Sequence, residues 1–286
     1  MKISVVITTF NRPDFLQEAL IGVSQQELSA YEIIIIDDCS TKSYDEVFPL
    51  VEKLDARYLK QKSGVGANAA RNIGIKESSG DIVAFLDDDD IWLPNYLKVI
   101  HEEYLGGADA IVSGFKQLGK EEVVVTNKDL TVTKSSLLRG NTYCGMSGFS
   151  AKRDLLLQNS FDETLNNGQD WDMYVRLFQK GIKFKNIPAP IFLYRFQNED
   201  GIGAKVRKMK PSDIDKRLGS AYKHKVFLGD YWFKKRVCEQ ILFSLKHKNE
   251  KSRWIIQALK MAGFKATFVF FFNALRRKVL NKPMSI

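Results

Sequence analysis

The segment DIVAFLDDDD at residues 81–90 runs from apolar, strand-like residues into four consecutive aspartates. Carboxylates this close together repel one another, so one or more must stay protonated, turn into water or share a divalent cation. Because the preceding residues are apolar and expected to be buried, we interpret the aspartates as a site for Mg²⁺ or Mn²⁺. Mg²⁺ commonly combines one or two carboxylates with substrate phosphates, so a phosphate-bearing substrate is also predicted. The alternative is a solvated acidic loop.

The residues around this segment alternate between strand-like and helix-like patterns with short connections. The predicted strands are residues 3–8, 31–36, 57–59 and 82–86, and the predicted helices are residues 13–24, 64–77 and 93–104. This alternation predicts an α/β fold with a Rossmann-like, mostly parallel central sheet flanked by helices. Further strands are predicted at residues 108–115 and 122–126, after which the pattern becomes mixed.

Polar and acidic residues follow three of the predicted strands. Thr8 and Thr9 end the first strand, Asp37 and Asp38 end the second, and the four aspartates end the strand at residues 82–86. In open parallel sheets ligands bind beyond the carboxyl ends of the strands. We therefore expect these side chains to meet at one edge of the sheet.

Length and cysteine content indicate a globular protein of a reducing compartment. The chain has 286 residues, 44% of them hydrophobic, enough for one large domain or two small ones. Cys39, Cys144 and Cys238 are far apart and form no C-x-x-C pair, so neither a disulfide framework nor a structural zinc site is indicated. The first residues lack a signal-peptide cleavage pattern, so we expect the protein in the cytoplasm.

The positive charge of the chain is concentrated in its last 86 residues. Residues 201–286 carry 21 Lys and Arg against 5 Asp and Glu, a net charge of +16, whereas residues 1–200 carry 22 against 29, a net charge of −7. An acidic body joined to a basic tail predicts an anionic partner, either membrane lipid or nucleic acid.

The last predicted helix favours membrane lipid over nucleic acid as that partner. Trp254, Ile255, Ala258, Leu259 and Ala262 are expected to line one helical face, and an apolar core at residues 266–275 follows, flanked by basic residues 276–278. A bilayer-spanning helix needs about 20 residues, so we predict that this segment lies on an anionic membrane surface without crossing it. The alternative is an ordinary helix packed on the body.

Five motifs in order give the chain its resemblance to a known family. It resembles the family 2 glycosyltransferases of the GT-A fold, many of which build bacterial polysaccharides such as O-antigen. The matching motifs are VVITTFNR at residues 5–12, EIIIIDDCS at 32–40, GVGANAARNIG at 64–74, FLDDDDIWLP at 85–94 and GQDWD at 168–172.

The resemblance implies a nucleotide-sugar donor, a UDP-sugar in the first instance, and a divalent metal that clamps the leaving diphosphate. By the same resemblance, Asp89 is the first choice for direct metal contact, with Asp87 as its neighbour, and Asp90 is expected to be solvated or to cap the next helix. The residues expected to contact the donor are Thr8, Thr9, Asn11, Arg12, Asp37, Asp38, Asn68, Arg71, Asp87 and Asp88.

Asp170 is the candidate catalytic base of the implied reaction. A sugar hydroxyl is a poor nucleophile until its proton is accepted in the transition state. The family inverts configuration in one displacement, so no covalent enzyme intermediate is implied. The family usually has Glu before this aspartate, where the chain has Gln169, so a neighbouring charge is missing. Asp170 is also expected to cap its helix, a role compatible with catalysis.

The resemblance also implies a division of the chain and a place in the cell. We expect a GT-A domain at residues 1–200, with a nucleotide-sugar half at 1–110 and an acceptor half at 111–200, and a basic, mainly helical membrane-association region at 201–286. The acceptor is expected to be a saccharide hydroxyl on a lipid-diphosphate carrier, and the protein to sit peripherally on the inner face of the cell membrane. Gln197 stands where relatives carry a histidine near the metal, which puts a third protein ligand in doubt.

Two other functions are open from the sequence. A phosphatase of the haloacid dehalogenase type also places D-x-D at a strand end, but its motif lies near the chain start and is followed by Thr or Val where this chain has Ile91. A non-catalytic module that binds sugar nucleotides or membranes would tolerate the loss of Asp170.

Overall fold

Four parallel strands form one half of the central sheet in the computed structural model, which describes residues 1–196 and 206–279. Their bounds are Ile3–Thr9 for β1, Glu32–Asp37 for β2, Arg57–Lys60 for β3 and Ile82–Asp87 for β4. The strands lie in the order β3-β2-β1-β4. Strands β1, β2 and β4 are nearly continuous runs of buried apolar residues, the pattern of strands that are covered on both faces, whereas the edge strand β3 is partly exposed.

The helices that connect these strands confirm the predicted α/β alternation. The glycine-rich entry to α3 stays non-helical as far as Gly66, so this helix begins three residues later than predicted. The helices are α1 at Pro13–Ser24, α2 at Phe48–Lys53, α3 at Ala67–Glu77 and α4 at Tyr96–Leu105.

Helix α3 packs on β1 at unusually close range because of Gly74. A Cβ atom added at Gly74 would lie 2.3 Å from Cγ1 of Val6, well inside van der Waals contact. The two residues belong to α3 and β1 respectively. The absence of a side chain at Gly74 therefore sets the distance between helix and sheet.

The second half of the sheet mixes parallel and antiparallel pairs. Its strands continue the order as β8-β6-β9-β5, and β7 pairs with β6. Only β6 and β9 run parallel here, whereas β8 is antiparallel to both β4 and β6. The elements are β5 at Ile91–Trp92, β6 at Ala110–Gln117, β7 at Lys120–Val125, α5 at Lys134–Arg139, β8 at Ser150–Lys152, α6 at Arg153–Leu157, α7 at Gln169–Gln179 and β9 at Phe184–Tyr194.

The chain divides into two compact units. The first contains Met1–Leu137, Asn141–Glu163 and Met173–Phe196, and therefore the whole sheet. The second contains Leu138–Gly140, Thr164–Asp172 and the described residues after Phe196. The predicted boundaries near residues 110 and 200 stay predictions, and Gln197 lies outside the described residues.

The second unit is built from helices, as the tail was predicted to be. Helix α8 spans Asp215–Lys223, α9 spans Lys225–Leu242 and α10 spans Lys251–Val279. Gly229 and Gly263 have positive φ angles of 65° and 83°, so α9 and α10 are each interrupted once.

Helix α10 has one buried and one exposed apolar face. Trp254, Ala258 and Ala262 are buried, but Leu259, predicted on the same face, is 39% exposed. Among the described residues, Lys251–Arg276 is long and apolar enough to cross a membrane by length and composition, which is longer than the core counted at residues 266–275. Beyond the break at Gly263, large apolar side chains form an exposed stripe, called here the aromatic stripe: Phe264, Phe268, Phe271, Phe272 and Leu275.

Candidate active site

The carboxyl ends of β1, β2 and β4 bring most of the predicted donor-site residues to one edge of the first unit. Parallel pairing sets Thr9 beside Asp37 and Thr8 beside Asp87. The side-chain contacts described below join the same strands through Thr9 and the aspartates. We call the residues at these three strand ends, together with the side chains that contact them, the acidic rim. Its strand-end members are Thr8, Thr9, Asp37, Asp38, Asp87, Asp88, Asp89 and Asp90.

Arg12 holds two of the four aspartates. Its guanidinium lies 2.8 Å from Oδ2 of Asp89 and 3.1 Å from Oδ1 of Asp88. Asp88 is buried and also accepts a hydrogen bond of 2.8 Å from the Thr9 hydroxyl. Oδ1 of Asp88 has no aligned hydrogen bond, so the ion pair with Arg12 is its main compensation.

Arg71 holds a third aspartate. Its Nη2 lies 2.6 Å from Oδ1 of Asp87. Arg71 is buried, whereas the Asp87 side chain is 29% exposed. The amide nitrogen of Asn68 donates to the carbonyl oxygen of Asp162 at 2.6 Å, so Asn68 fastens the start of α3 to that loop. Arg71 therefore lies at the acidic rim, with the Asn68 side-chain oxygen 3.4 Å from its Nη1, and the contact of both residues with a donor stays a prediction.

Asp90 differs from its prediction. It was expected in solvent or at a helix cap, but it is fully buried, with the Ser147 hydroxyl at 2.6 Å from Oδ2 and the backbone N–H of Arg195 at 2.9 Å from Oδ1. Burial, followed by the charges of Asp89 and Asp87, raises the pKa of Asp90 well above its usual range. Asp90 therefore anchors β9 to the acidic rim.

The same causes act more weakly on Asp88. Burial raises the pKa of Asp88 to about 7, the ion pair with Arg12 opposes this rise, and the charge of Asp89 adds to it. Crowded carboxylates were expected to be protonated, solvated or bound to a divalent cation. In the structure, two of the carboxylates have raised pKa values, and Arg12 and Arg71, which were expected to contact the donor, serve as counter-ions.

The acidic rim fits a metal that is shared with a substrate. In the part of the chain that the structure describes, no three His, Cys, Asp or Glu side chains come together as a ready metal site. Asp87 and Asp89 are partly exposed, at 29% and 22%, and offer hard carboxylate oxygens at one strand end. This donor set suits Mg²⁺ or Mn²⁺ held by one or two carboxylates and completed by substrate phosphates.

Asp37 and Asp38 hold chain segments that lie beside the carboxyl end of β2. Asp37 is buried and accepts hydrogen bonds from the Ser40 N–H at 2.8 Å and from the Tyr58 hydroxyl at 2.6 Å. Asp38 accepts from two consecutive backbone N–H groups that precede α3, those of Val65 at 2.5 Å and Gly66 at 2.9 Å. Asp37 therefore ties the turn after β2 to β3, and Asp38 holds the glycine-rich loop.

Asn11 supports a loop in the same way. Its side-chain oxygen accepts from the backbone N–H groups of Thr41 at 2.7 Å and Lys42 at 3.0 Å. Its φ of 55° is left-handed, a conformation that asparagine adopts more readily than most residues. Asn11 therefore lies at the acidic rim and fixes the residues after β2.

Two residues at the rim escaped sequence analysis. The buried hydroxyl of Tyr44 lies 2.8 Å from the Thr9 hydroxyl and accepts from the Arg12 N–H at 3.0 Å. Arg195 donates from Nε to the backbone oxygen of Asp89 at 3.0 Å and pairs with Glu18 at 2.5 Å. The sequence signal nearest to Arg195 is Gln197, two residues later, and no pattern pointed toward Tyr44.

Asp170 lies in the first turn of helix α7, in the second unit. The helix begins at Gln169, so Asp170 is inside it and is not the N-cap that was predicted. The side chain is half-buried, and its Oδ1 accepts a hydrogen bond of 2.7 Å from the N–H of Trp171, one of the backbone groups that the first turn leaves unpaired. An Asp170→Asn substitution would keep an oxygen that can accept this hydrogen bond. Asp170 therefore combines a structural contact with enough exposure for a reacting group.

Asp172, two residues later, is a buried structural residue that the motif alone did not distinguish from its neighbour. Its Oδ1 lies 2.7 Å from Nε2 of His224 and 2.8 Å from Nζ of Lys223. The His224 ring meets the buried ring of Trp171 edge-on, at 5.2 Å between centroids. The GQDWD motif thus joins α7 to the end of α8.

The fold is shared with solved glycosyltransferase structures of low sequence identity. TarS of S. aureus, in complex with UDP-GlcNAc, matches with a TM-score of 0.61 and 18% identity over 91% of this chain and 71% of that one. The mannosyltransferase PcManGT of Pyrobaculum calidifontis, in complex with GDP-Man and Mn²⁺, matches with a TM-score of 0.61 and 15% identity over 96% of this chain and 80% of that one. The protein therefore has the GT-A glycosyltransferase fold.

Sequence comparison identifies the family within that class. The profile described as glycosyl transferase family 2 matches residues 4–164, more than half of the chain, and the chain belongs to this family. A relative from Campylobacter jejuni, named GalNAc(5)-diNAcBac-PP-undecaprenol beta-1,3-glucosyltransferase, is 28% identical over 294 residues, covering 100% of this chain and 89% of the relative. The resemblance stated from the motifs is thereby confirmed, and the phosphatase alternative is set aside.

Proposed function

We propose that the protein is an inverting, metal-dependent glycosyltransferase that moves a hexosyl unit from a UDP-sugar to a saccharide hydroxyl. The acidic rim carries this proposal. The chain belongs to glycosyl transferase family 2, and at the carboxyl ends of its parallel strands paired carboxylates, two arginines and a glycine-rich loop lie together. The UDP-GlcNAc bound to TarS, which shares the fold, supports the choice of nucleotide.

The donor is assigned to the rim residues by what each can offer. Arg12 and Arg71 supply guanidinium groups that match diphosphate oxygens, and Asp87 and Asp88 belong to the same strand end. Thr8 and Thr9 end the neighbouring strand β1, and Asn68 lies in the first turn of α3. Asp37, Asp38 and Asn11 hold the loops that would surround the nucleoside.

Asp89 and Asp87 are the residues that would hold Mn²⁺ or Mg²⁺. Such an ion neutralises charge that develops on a leaving diphosphate. The Mn²⁺ in the complex of PcManGT, a protein of the same fold, supports this cofactor.

Asp170 is proposed as the base that accepts the proton of the acceptor hydroxyl. Its half-buried carboxylate at the helix start suits this role. Replacing Asp170 with Asn removes the basic oxygen and keeps an acceptor for the Trp171 N–H. We expect Asp170→Asn to lower kcat by about 10²–10⁴-fold and to leave UDP affinity unchanged.

The measurement is UDP release from a panel of UDP-sugars with Mn²⁺ and a lipid-diphosphate-linked saccharide, with UDP affinity from calorimetry. Asp230→Asn is the matched control, because Asp230 is an exposed carboxylate paired only with Lys234 in the described residues. Turnover of Asp170→Asn at the wild-type rate would remove Asp170 as the base. Failure of every UDP-sugar to react would overturn the donor assignment.

A lipid-diphosphate-linked acceptor, as in bacterial surface polysaccharide and O-antigen synthesis, is proposed from the name of the Campylobacter jejuni relative. The aromatic stripe supports a peripheral site on the cytoplasmic face of the cell membrane. Phe264, Phe268 and Phe272 are 75%, 58% and 55% exposed, and Lys265 and Arg276 are exposed close by. Exposed aromatics beside cations suit an anionic lipid surface.

Vesicle flotation tests this surface. We expect binding to vesicles that contain phosphatidylglycerol, and its loss in the double variant Phe268→Glu and Phe272→Glu. Val226→Glu is the matched control, since Val226 is a 98% exposed apolar residue of α9. Equal flotation of the control and the double variant would contradict a role for the aromatic stripe. Equally strong binding to neutral vesicles would contradict the proposal that the cations recognise anionic lipid.

A further inference from the structure

Asp89, one of the two carboxylates proposed to hold the metal, is already paired with Arg12. Arg12 contacts Asp89 at 2.8 Å and Asp88 at 3.1 Å, one carboxylate for each terminal nitrogen. A divalent cation at Asp89 would meet the guanidinium at the same carboxylate, and like charges at such distances repel strongly where water is partly excluded. The Arg12 guanidinium and a divalent cation would therefore compete for the Asp89 carboxylate.

The surroundings of Arg12 let its side chain move while its backbone stays fixed. The backbone N–H donates to the buried hydroxyl of Tyr44 at 3.0 Å, and the next residue, Pro13, begins α1. The side chain itself is 28% exposed, and in the described residues its guanidinium contacts the two aspartates. A diphosphate offers this planar group several anionic oxygens with bidentate geometry.

We propose that Arg12 is an internal counter-ion that keeps metal off the acidic rim until a nucleotide diphosphate draws the guanidinium away. This inference rests on the proposed function, because it names how that site orders its ligands. Arg12 leaves Asp88 and Asp89 for the diphosphate, and the vacated carboxylates become available to the ion. Nucleotide and metal then strengthen each other's binding by the same factor, as linkage requires.

The test measures Mn²⁺ binding by electron paramagnetic resonance, with and without UDP, on the full-length protein. Without UDP, we expect wild-type protein to bind Mn²⁺ weakly and Arg12→Met to bind it at least about tenfold more tightly, because one positive charge has been removed. With UDP, wild-type affinity for Mn²⁺ should rise about tenfold or more, and this increase should shrink in Arg12→Met.

Three further variants separate charge from other effects. Arg12→Lys keeps the charge and should bind Mn²⁺ without UDP as weakly as wild type. Arg12→Gln repeats the neutralisation with a polar side chain, in case Arg12→Met does not fold. Arg57→Met removes an arginine that pairs with Glu77 and Glu32 in the described residues, and it should behave as wild type.

The outcomes distinguish this inference from the proposed function. If wild type binds Mn²⁺ with UDP, but neutral variants bind it no more tightly than wild type without UDP, Arg12 is not the competing cation. If wild type binds neither UDP nor Mn²⁺ with UDP, the proposed donor is wrong, and the nucleotide-free comparison of Arg12→Met with Arg12→Lys still decides the role of Arg12.

Discussion

The acidic rim of the first unit and the buried cations of the second unit are stabilised in different ways. At the acidic rim of the first unit, partly exposed carboxylates face arginines, as in the pairs of Arg12 with Asp89 and of Arg71 with Asp87. In the second unit, cations lie against aromatic rings: Arg217 on Phe243 at 5.0 Å, Arg236 on Trp171 at 4.2 Å and Lys248 on Trp254 at 3.5 Å.

The difference separates exchangeable charge from structural charge. An ion pair at the edge of solvent can trade its partner for a ligand at little cost, since water and ligand both compensate the charges. A cation packed against a ring is largely removed from water, which disfavours its charged form. Burial therefore lowers the pKa of Arg217 to about 10 and that of Lys248 to about 8. We therefore expect substitutions at the acidic rim to change binding and turnover, and substitutions of the buried charges in the second unit to change stability.

Among the paired charges of the two units, the largest expected effect is on turnover, from Asp89→Asn at the acidic rim. Loss of one carboxylate that would hold the metal should lower Mn²⁺-dependent turnover by about 100-fold or more. The thermal midpoint should stay close to wild type, because Asp89 is partly exposed. Steady-state kinetics and calorimetric melting measure the two effects, with Asp230→Asn as control. A large fall in melting temperature would break the comparison.

The next effect is on stability, from Asp172→Asn in the second unit. The buried carboxylate of Asp172 faces His224 at 2.7 Å and Lys223 at 2.8 Å, so its neutralisation should lower the free energy of unfolding by about 2–3 kcal/mol. Denaturant unfolding measures the loss, and UDP affinity should not change. Asp213→Asn, which alters a more exposed pair with Lys216, is the matched control. Weaker UDP binding without a loss of stability would contradict the structural assignment.

A smaller effect appears in the pH dependence of stability. Burial, followed by the charge of Arg217, lowers the pKa of Lys248 from 10.5 to about 8. Between these values the unfolded chain binds more protons than the folded one, so stability should rise with pH across this window. Below pH 8 the cost of the buried charge is fully present.

Lys248→Met removes the titrating group and should flatten this rise by about 1–2 kcal/mol. Urea unfolding at pH 7.5 and pH 10 gives the difference, and Lys246→Met serves as a control in the same short segment. The same slope in wild type and Lys248→Met would show that Lys248 is not the source.

The smallest expected effect is at the opposite end of the first unit's strands. Arg57→Gln breaks a pair with Glu77 whose side chains are 46% and 43% exposed, so the free energy of unfolding should fall by less than about 0.5 kcal/mol. Denaturant unfolding measures the change. A loss comparable to that of Asp172→Asn would show that exposed pairs are not as exchangeable as the comparison holds.

Local patterns predicted the parallel half of the sheet because β1, β2 and β4 are buried apolar runs and are separated by helices with clear starts. The mixed half was harder to predict. Strands β5 and β8 have two and three residues, too few for a periodic pattern, and β9 contains Pro188 and Pro190, which locally shift its register with β6.

The residue types at the acidic rim were predictable, but their partners were not. Thr8, Asp37 and Asp87 follow from the rule for parallel strand ends. The pair of Arg12 with Asp89 joins residues 77 apart, and the contact of Arg195 with Asp90 joins residues 105 apart. No local pattern records such contacts, and for this reason the expected exposure of Asp90 was wrong.

The close packing at Gly74 determines which parts of the protein can be redesigned. Arg71 stands one turn before Gly74 on α3, and the helix rests on Val6 with no room for a Cβ atom. Any side chain at Gly74 would push the helix outward and carry Arg71 away from Asp87. A library that seeks new donor sugars should therefore randomise loop positions around Thr41 and Gly64 and leave this helix face untouched.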